Sequence, residues 1–431
     1  MKHIFRILLT FMLVTVTGAA VFASGFITGR YTTGDPLLQL AGPGDLGQPS
    51  GSTPADAAKT FVPFWQAWDF VHAEYVDQPV DDVKLMRGAI SGMMEALGDP
   101  HSAYMDPITY EFFQTSLSGE LEGIGAMVEQ SGDYARVVSP LPGSPAEKVG
   151  VRPGDLIVQV DGEDVAGLDY LLVVGKVRGK AGTAVQLTIQ REGEPELLKF
   201  DIVRARITIP SVEHKGLAEN IAYVKINDFG TRTPDELRKA LGEVLAQEPV
   251  GLVLDLRGNP GGLLTTAIEV ASQFISEGVV MREQFGDERE ETYEASGGGL
   301  ATEVPLVVLI DKGSASAAEI VAGAIQDLER GTIVGETSYG KGSVQLPHEL
   351  SGTNGAVRVT VARWLTPDGR SIHQEGITPD VAVELTEEDR AAELDPQLDK
   401  AIELLTRQSS TKYDSHARSS SSLLIAGSTL R

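Results

Sequence analysis

Apolar positions recur at two periods along this 431-residue chain, and the changes of period divide it. From 57 to 117 the period is helical. "FVPFWQAWDFVHAEYV" puts Phe61, Trp65, Trp68 and Val71 on one face, with Trp65 and Trp68 as core or interface aromatics, and "VKLMRGAISGMMEALG" predicts a second amphipathic helix closed by Gly98. From 118 to 205 the runs shorten. "YARVVSPL", "DLIVQVDG", "AVQLTIQREG" and "LLKFDIVRA" read as strands between Gly and Pro turns, and Val185, Leu187 and Ile189 alternate with Gln186, Thr188 and Gln190. From 206 to 405 the strand-like runs "IAYVKI", "GLVLDL", "PLVVLI" and "GTIVGE" alternate with helical stretches at 263–276 and 316–329. That alternation predicts α/β layers. There is no internal repeat.

The two ends have other characters. Lys2 and Arg6 precede a 21-residue run, Ile7 to Ile27, long enough to span a bilayer at about 1.5 Å per residue. The positive flank predicts a cytoplasmic N-terminus and export of the rest. Residues 1–30 therefore read as a membrane anchor, or as a signal peptide cut near Val21-Phe22-Ala23. The corresponding location is periplasmic or otherwise extracytoplasmic, anchored in the inner membrane. Residues 31–56, rich in Gly, Pro, Ser and Thr, read as a flexible linker, and the serine-rich 406–431 as a disordered tail.

Composition narrows the chemistry. Hydrophobic residues make up 42%, enough for a sizeable core, and the net charge of −25 argues against nucleic acid as a partner. The chain has no cysteine, which excludes disulfides, a thiol nucleophile, a Cys-based zinc site and a lipoprotein anchor. No His/Asp/Glu spacing suggests a metal site and no Walker or dinucleotide motif precedes a helix, so no cofactor is expected.

Three stretches carry candidate chemistry. "GSASAAEI" (313–320) follows an apolar run and leads into a helix, so Ser316 stands near a helix N-terminus, where free N–H groups can stabilise an oxyanion. Most serines placed there are plain N-caps, and on this stretch alone that reading is favoured. "GETSYGKGSVQ" (335–345) is a Gly-rich turn carrying Lys341, with Gln345 four residues on. Such a lysine is usually solvated, but burial would lower its pKa and let the neutral amine act as a general base, with Gln345 holding it. "LDLRGNPGG" (254–262) ends a strand in a glycine turn whose N–H groups are a second oxyanion donor, or simply a tight βα turn. His348 and His373 are rival bases, but nothing around them pairs a histidine with an aspartate in a triad.

Together, "DLRGNPGG", "GSASAAEI" and "GETSYGKGSVQ" resemble, in order, the signature of carboxy-terminal processing peptidases, the tail-specific serine proteases. The resemblance implies Ser316 as nucleophile, Lys341 as general base and Gln345 as its support, with the N–H groups of Gly262 and Ala317 as oxyanion hole. "GDPHSAYMDP" (98–107), "VARWLTPDGRSIHQEGITPDV" and "LDPQLDKAIELL" also resemble that family, which extends the likeness over about 57–405. Ala317-Ala318-Glu319 replaces the commoner Ala-Ser-Glu, and Trp364 stands where tyrosine is frequent.

The β-rich insert resembles a PDZ domain in "LEGIGAMVEQ", "PGSPAEKVGVRPGDLIVQVDGEDV" and "VRGKAGTAVQLTIQR". That likeness implies that Gly123, Ile124, Gly125 and Ala126 form the loop that binds a terminal carboxylate, with a peptide added to the adjacent strand. The fold expected is a crotonase/ClpP-like α/β protease core (206–405) with an inserted PDZ domain (118–205) and an N-terminal helical domain (57–117). The implied partners are proteins with accessible C-terminal tails, with a regulatory adaptor and a homo-oligomer left open. Two rivals stand beside this reading: a PDZ scaffold on a dead protease core, and a crotonase-like acyl-CoA enzyme.

Overall fold

The computed structural model describes residues 57–352 and 354–407, so the 7–27 run, the linker and the tail beyond 407 lie outside the described residues. The chain divides into two units at Asp81. In the first, Pro63 near the start sets the opening turn of α1 (Val62–Glu74), which buries none of its residues. Its aromatics meet one another instead, Phe64 edge-on to Trp65 with centroids 5.0 Å apart.

The second unit opens with α2 (Asp82–Glu95), ended by a left-handed Gly98 (φ 67°), then β1 (Ala103–Met105) and α3 (Pro107–Ser118), whose N-cap Asp106 accepts the Thr109 N–H. The inserted β module follows: β2 (Glu120–Gly123), β3 (Ala126–Ser131), β4 (Tyr134–Pro140), α4 (Pro145–Val149), β5 (Leu156–Val160), β6 (Glu163–Asp164), α5 (Tyr170–Val177), β7 (Ala184–Gln190), β8 (Leu198–Val203) and β9 (Ala205–Thr208). Its sheet runs β3-β4-β5-β7-β8 around a core of Val137, Ile157, Val185, Leu187, Ile189 and Ile202. The alternation in β7 holds except at Thr188, which is buried as well. The module's entry and exit pair with each other as the β2–β9 ribbon, from Glu120 opposite Thr208 to Gly123 opposite Ala205.

The remaining elements are β10 (Val212–Gly216), β11 (Ile221–Ile226), α6 (Thr233–Leu245), β12 (Gly251–Asp255), α7 (Leu264–Phe274), β13 (Val279–Phe285), β14 (Glu290–Glu294), β15 (Leu306–Ile310), α8 (Ala317–Asp327), β16 (Thr332–Gly335), β17 (Ser343–Glu349), β18 (Ala356–Leu365), β19 (Val381–Ala382) and α9 (Glu387–Ala391), before a helix at 396–407. Strands β11, β12, β15, β16 and β19 are parallel neighbours, with β10 antiparallel at one edge. Every residue of β12 and β15 is buried, as parallel strands covered on both faces require. A second, antiparallel sheet runs β1-β18-β13-β14, with β17 also on β18. The sequence pattern did not reveal this sheet, which takes β1 from far upstream to pair with β18.

Candidate active site

The three candidate stretches are the turns leaving the C-terminal ends of β12, β15 and β16. Those strands are consecutive and parallel, so their following turns share one edge of the sheet, where open α/β sheets place their sites. Sequence separation of the motifs is thus cancelled by strand order.

Ser316 sits at the tightest point. Its backbone has φ 54° and ψ −115°, a conformation that favours glycine and that a serine holds only under constraint. The constraint is Glu319, one turn into α8 and fully buried. Its Oε2 accepts the Ser316 N–H at 2.7 Å and the Lys341 N–H at 2.9 Å. Its Oε1 accepts the Ser338 hydroxyl and the Gly340 N–H, each at 2.6 Å. One carboxylate therefore joins the serine elbow to the lysine turn. Burial raises the Glu319 pKa above the usual carboxylate value, while the hydrogen bonds from Ser338, Gly340, Ser316 and Lys341 act the other way.

Ser314, two residues earlier, faces inward. It donates to the Leu256 carbonyl at 2.8 Å and accepts the Asp311 N–H at 3.0 Å, tying the ends of β12 and β15. The two serines are not interchangeable.

The glycine turn after β12 lies against the elbow. A Cβ on Gly261 would sit 2.8 Å from Ser316 Cβ and 2.9 Å from the Ala317 nitrogen, so only glycine leaves that space open. Asn259 shapes the turn, donating to the Ile226 carbonyl and accepting the Gly261 N–H at 2.8 Å. Among the described residues, the Gly262 and Ala317 N–H groups make no hydrogen bond.

Lys341 is largely buried between two glycines that admit no side chain. A Cβ on Gly340 would meet the 374–376 backbone at 3.0 Å, and one on Gly342 the His373 nitrogen at 2.7 Å. Burial lowers the Lys341 pKa and the nearby Arg358 charge lowers it further, while Glu319 and Asp99 act the other way. Trp364, the residue in place of the frequent tyrosine, is buried and its indole N–H holds the Lys341 carbonyl at 2.9 Å. No hydrogen bond joins Lys341 Nζ to Ser316 Oγ or to Gln345 among the described residues. Gln345 instead gives its amide N–H groups to Ser343 Oγ at 2.8 Å and Thr360 Oγ1 at 3.2 Å.

Of the rival bases, His348 is exposed on β17, and His373 has a cation, Arg363, as its partner at 3.4 Å. Among the described residues neither makes a hydrogen bond or ion pair with an aspartate. Glu319 and Asp99 are the residues that the sequence reading did not use. Glu319 lay inside a quoted motif with its i+3 spacing from Ser316 as the available signal.

In the β module, Gly123 ends β2 and Ala126 begins β3, with buried Ile124 and left-handed Gly125 (φ 73°) between them. Among the described residues strand β3 is at the sheet edge, paired only with β4, and α5 packs beside it.

An α/β layer with a strained serine at a helix N-terminus, carrying an inserted β module, fits the class of serine-type peptidases. The profile of Peptidase family S41 matches residues 220–383, that of a PDZ domain 136–191, and that of the activating protease CtpB N-terminal domain 46–109. The chain is 37% identical over 383 residues to the carboxy-terminal processing protease CtpB of Bacillus subtilis, covering 86% of this chain and 77% of that protein. It is 41% identical over 331 residues to the carboxy-terminal-processing protease of Bartonella bacilliformis, covering 76% and 75% respectively. The chain belongs to the carboxy-terminal processing proteases of family S41: it has an α/β protease core with an inserted PDZ domain and is a serine-type peptidase.

Proposed function

We propose that this chain is an exported endopeptidase that cuts proteins at or near their C-termini with a Ser316/Lys341 dyad. The supporting observation is the Glu319 carboxylate, whose Oε2 holds the backbone N–H groups of both residues and so fixes the nucleophile's elbow beside the base's turn. In the reaction, Ser316 Oγ attacks the scissile carbonyl carbon while neutral Lys341 Nζ takes the hydroxyl proton. The tetrahedral oxyanion is received by the Gly262 and Ala317 N–H groups. On collapse the C–N bond breaks, Lys341 returns the proton to the leaving amine, and an ester to Ser316 remains. Water, deprotonated by Lys341, hydrolyses that ester. Gln345 accepts a hydrogen bond from Lys341 Nζ once the side chains close on substrate, since catalytic contacts are often open without it.

The PDZ domain would capture the substrate's tail, its terminal carboxylate on the N–H groups of the Gly123–Ala126 loop and its backbone along β3. Export rests on Lys2, Arg6 and the run 7–27; among the described residues no helix is long and apolar enough to cross a membrane.

The test is cleavage of an unfolded casein, with products identified by mass. Ser316→Ala and Lys341→Ala are each expected to lose at least about 10³-fold in kcat, and acid-quenched wild-type enzyme to carry an acyl group on Ser316. A folded Ser316→Ala protein with undiminished cleavage would sink the assignment.

A further inference from the structure

Gln345 can help a lysine base in only one of its two amide orientations. With Oε1 toward Lys341 Nζ it accepts an N–H from the amine and stabilises the ammonium formed after proton transfer. With Nε2 there instead, it donates to the very lone pair the base needs and repels the ammonium. Something must choose between two shapes that sterics barely distinguish.

The choice is traceable through hydrogen-bond polarity. Asp99 accepts the Ser102 hydroxyl at 2.6 Å and the Thr360 hydroxyl at 2.5 Å on Oδ2, and the His101 N–H at 3.1 Å on Oδ1. Burial alone would raise its pKa, but the Ser102, Thr360 and His101 donors outweigh that and lower it to about 2, so it is an anion with no proton to give. Thr360 must therefore spend its single proton on Asp99. Its oxygen is left only to accept, and what it accepts is Gln345 Nε2–H, at 3.2 Å. A flipped Gln345 would set Oε1 against a Thr360 oxygen that has no proton for it.

The backbone is arranged for this relay. Along the β17–β18 ladder Val344 faces Ala362, but Gln345 faces Thr360, because a bulge skips Val361. Without the bulge Gln345 would lie opposite Val361; bulges commonly re-aim a side chain near a site. The upstream segment is pinned to the same strand by β1 on β18, by the Thr360 N–H on Ser102 Oγ at 2.9 Å, and by Arg358 Nε on the His101 carbonyl at 3.0 Å.

We propose that Asp99 is a positioning residue that acts through Thr360 to lock the Gln345 amide with its oxygen toward Lys341. The proposal rests on the Ser316/Lys341 reading above. Its test uses steady-state cleavage of labelled unfolded casein by the full chain, with thermal unfolding of each variant alongside. Asp99→Asn and Thr360→Val are each expected to lower kcat about tenfold or more, with KM within about twofold of wild type. Combined with each other, or with Gln345→Ala, they add nothing further, because all three break one chain. Thr360→Ser, which returns the hydroxyl, restores most of the lost kcat.

The arms separate the alternatives. If Asp99 matters only as a charge near Lys341, Thr360→Val keeps wild-type kcat, and the relay is overturned. If the network is merely structural, the variants lower the melting temperature while kcat stays intact, or their losses add to that of Gln345→Ala; either result overturns it too. Activity surviving in Ser316→Ala or Lys341→Ala overturns the dyad itself and the relay with it, whereas dead dyad variants beside a fully active Thr360→Val overturn the relay alone.

Discussion

At the scale of single residues, the site is built on two groups held away from their ordinary states. As the proposed base, Lys341 would have to be neutral to take a proton, and burial followed by the Arg358 charge brings its pKa down from the usual lysine value. The sign follows directly. Below that lowered pKa the amine is protonated and idle, so kcat/KM rises with pH and levels off above it. Arg358→Gln retains a donor for the His101 carbonyl but removes the positive charge, so the Lys341 pKa rises and the acidic limb moves to higher pH. A pH–rate profile of the two proteins checks this, and an unmoved limb would assign the limb to another group. Ser316 is the other strained group. A positive φ at a non-glycine residue costs about 1–3 kcal/mol, while glycine adds about 0.5–1 kcal/mol of unfolded-chain freedom. Ser316→Gly should therefore be inactive yet more stable than Ser316→Ala by about 1 kcal/mol in urea unfolding. Equal midpoints would mean that the elbow is relaxed.

At the scale of elements, the joint between α8 and the β16–β17 turn depends on one buried carboxylate. Glu319→Gln puts an amide NH₂ where two donors already point, either at the Ser316 and Lys341 N–H groups or at Ser338 and Gly340. A buried donor left without an acceptor costs about 1–3 kcal/mol, so a loss of at least about 2 kcal/mol in stability is expected. Cleavage of casein by the fraction that remains folded should fall in kcat more than in KM, because the elbow and the turn separate. The core strands were readable because β15 is an unbroken apolar run and β12 is one as far as Asp255, and the serine and lysine turns because their glycines are forced by close backbone approach. The clamp was not readable as a clamp: an i+3 glutamate after a helix-leading serine looks like an ordinary capping box, and its second pair of donors lies some twenty residues downstream. Asp99 was hidden for the same reason, since its partner Thr360 is 261 residues away and only the β1–β18 pairing and a bulge bring the two together.

At the scale of the whole molecule, the PDZ domain is an insertion whose two ends leave through a single ribbon, β2 with β9. Short-range alternation made its strands legible, but the pairing of its ends is a long-range fact that no local pattern encodes. The ribbon bears on the proposed tail capture, for β2 ends at Gly123, the first residue of the proposed carboxylate loop. A tail held there would begin binding at the junction with the protease core rather than at the far side of the module. Glycine is demanded in that loop: a Cβ on Gly125 would lie 2.5 Å from Ser144 Cβ and 2.7 Å from Ile207 Cδ1, the latter belonging to β9. A substrate peptide with a free C-terminal carboxylate should bind Ser316→Ala protein more tightly than its C-terminal amide by about tenfold or more, the value of charge-assisted hydrogen bonds of about 1.5–3 kcal/mol. Gly125→Val should erase that difference by displacing the loop, raising KM for the free acid while leaving kcat in the Ser316-containing enzyme near its original value. Fluorescence anisotropy of the labelled acid and amide reads the first effect, and steady-state cleavage the second. Equal affinity for acid and amide would remove the carboxylate loop from tail capture, leaving the exposed edge of β3 to bind the chain by its backbone alone.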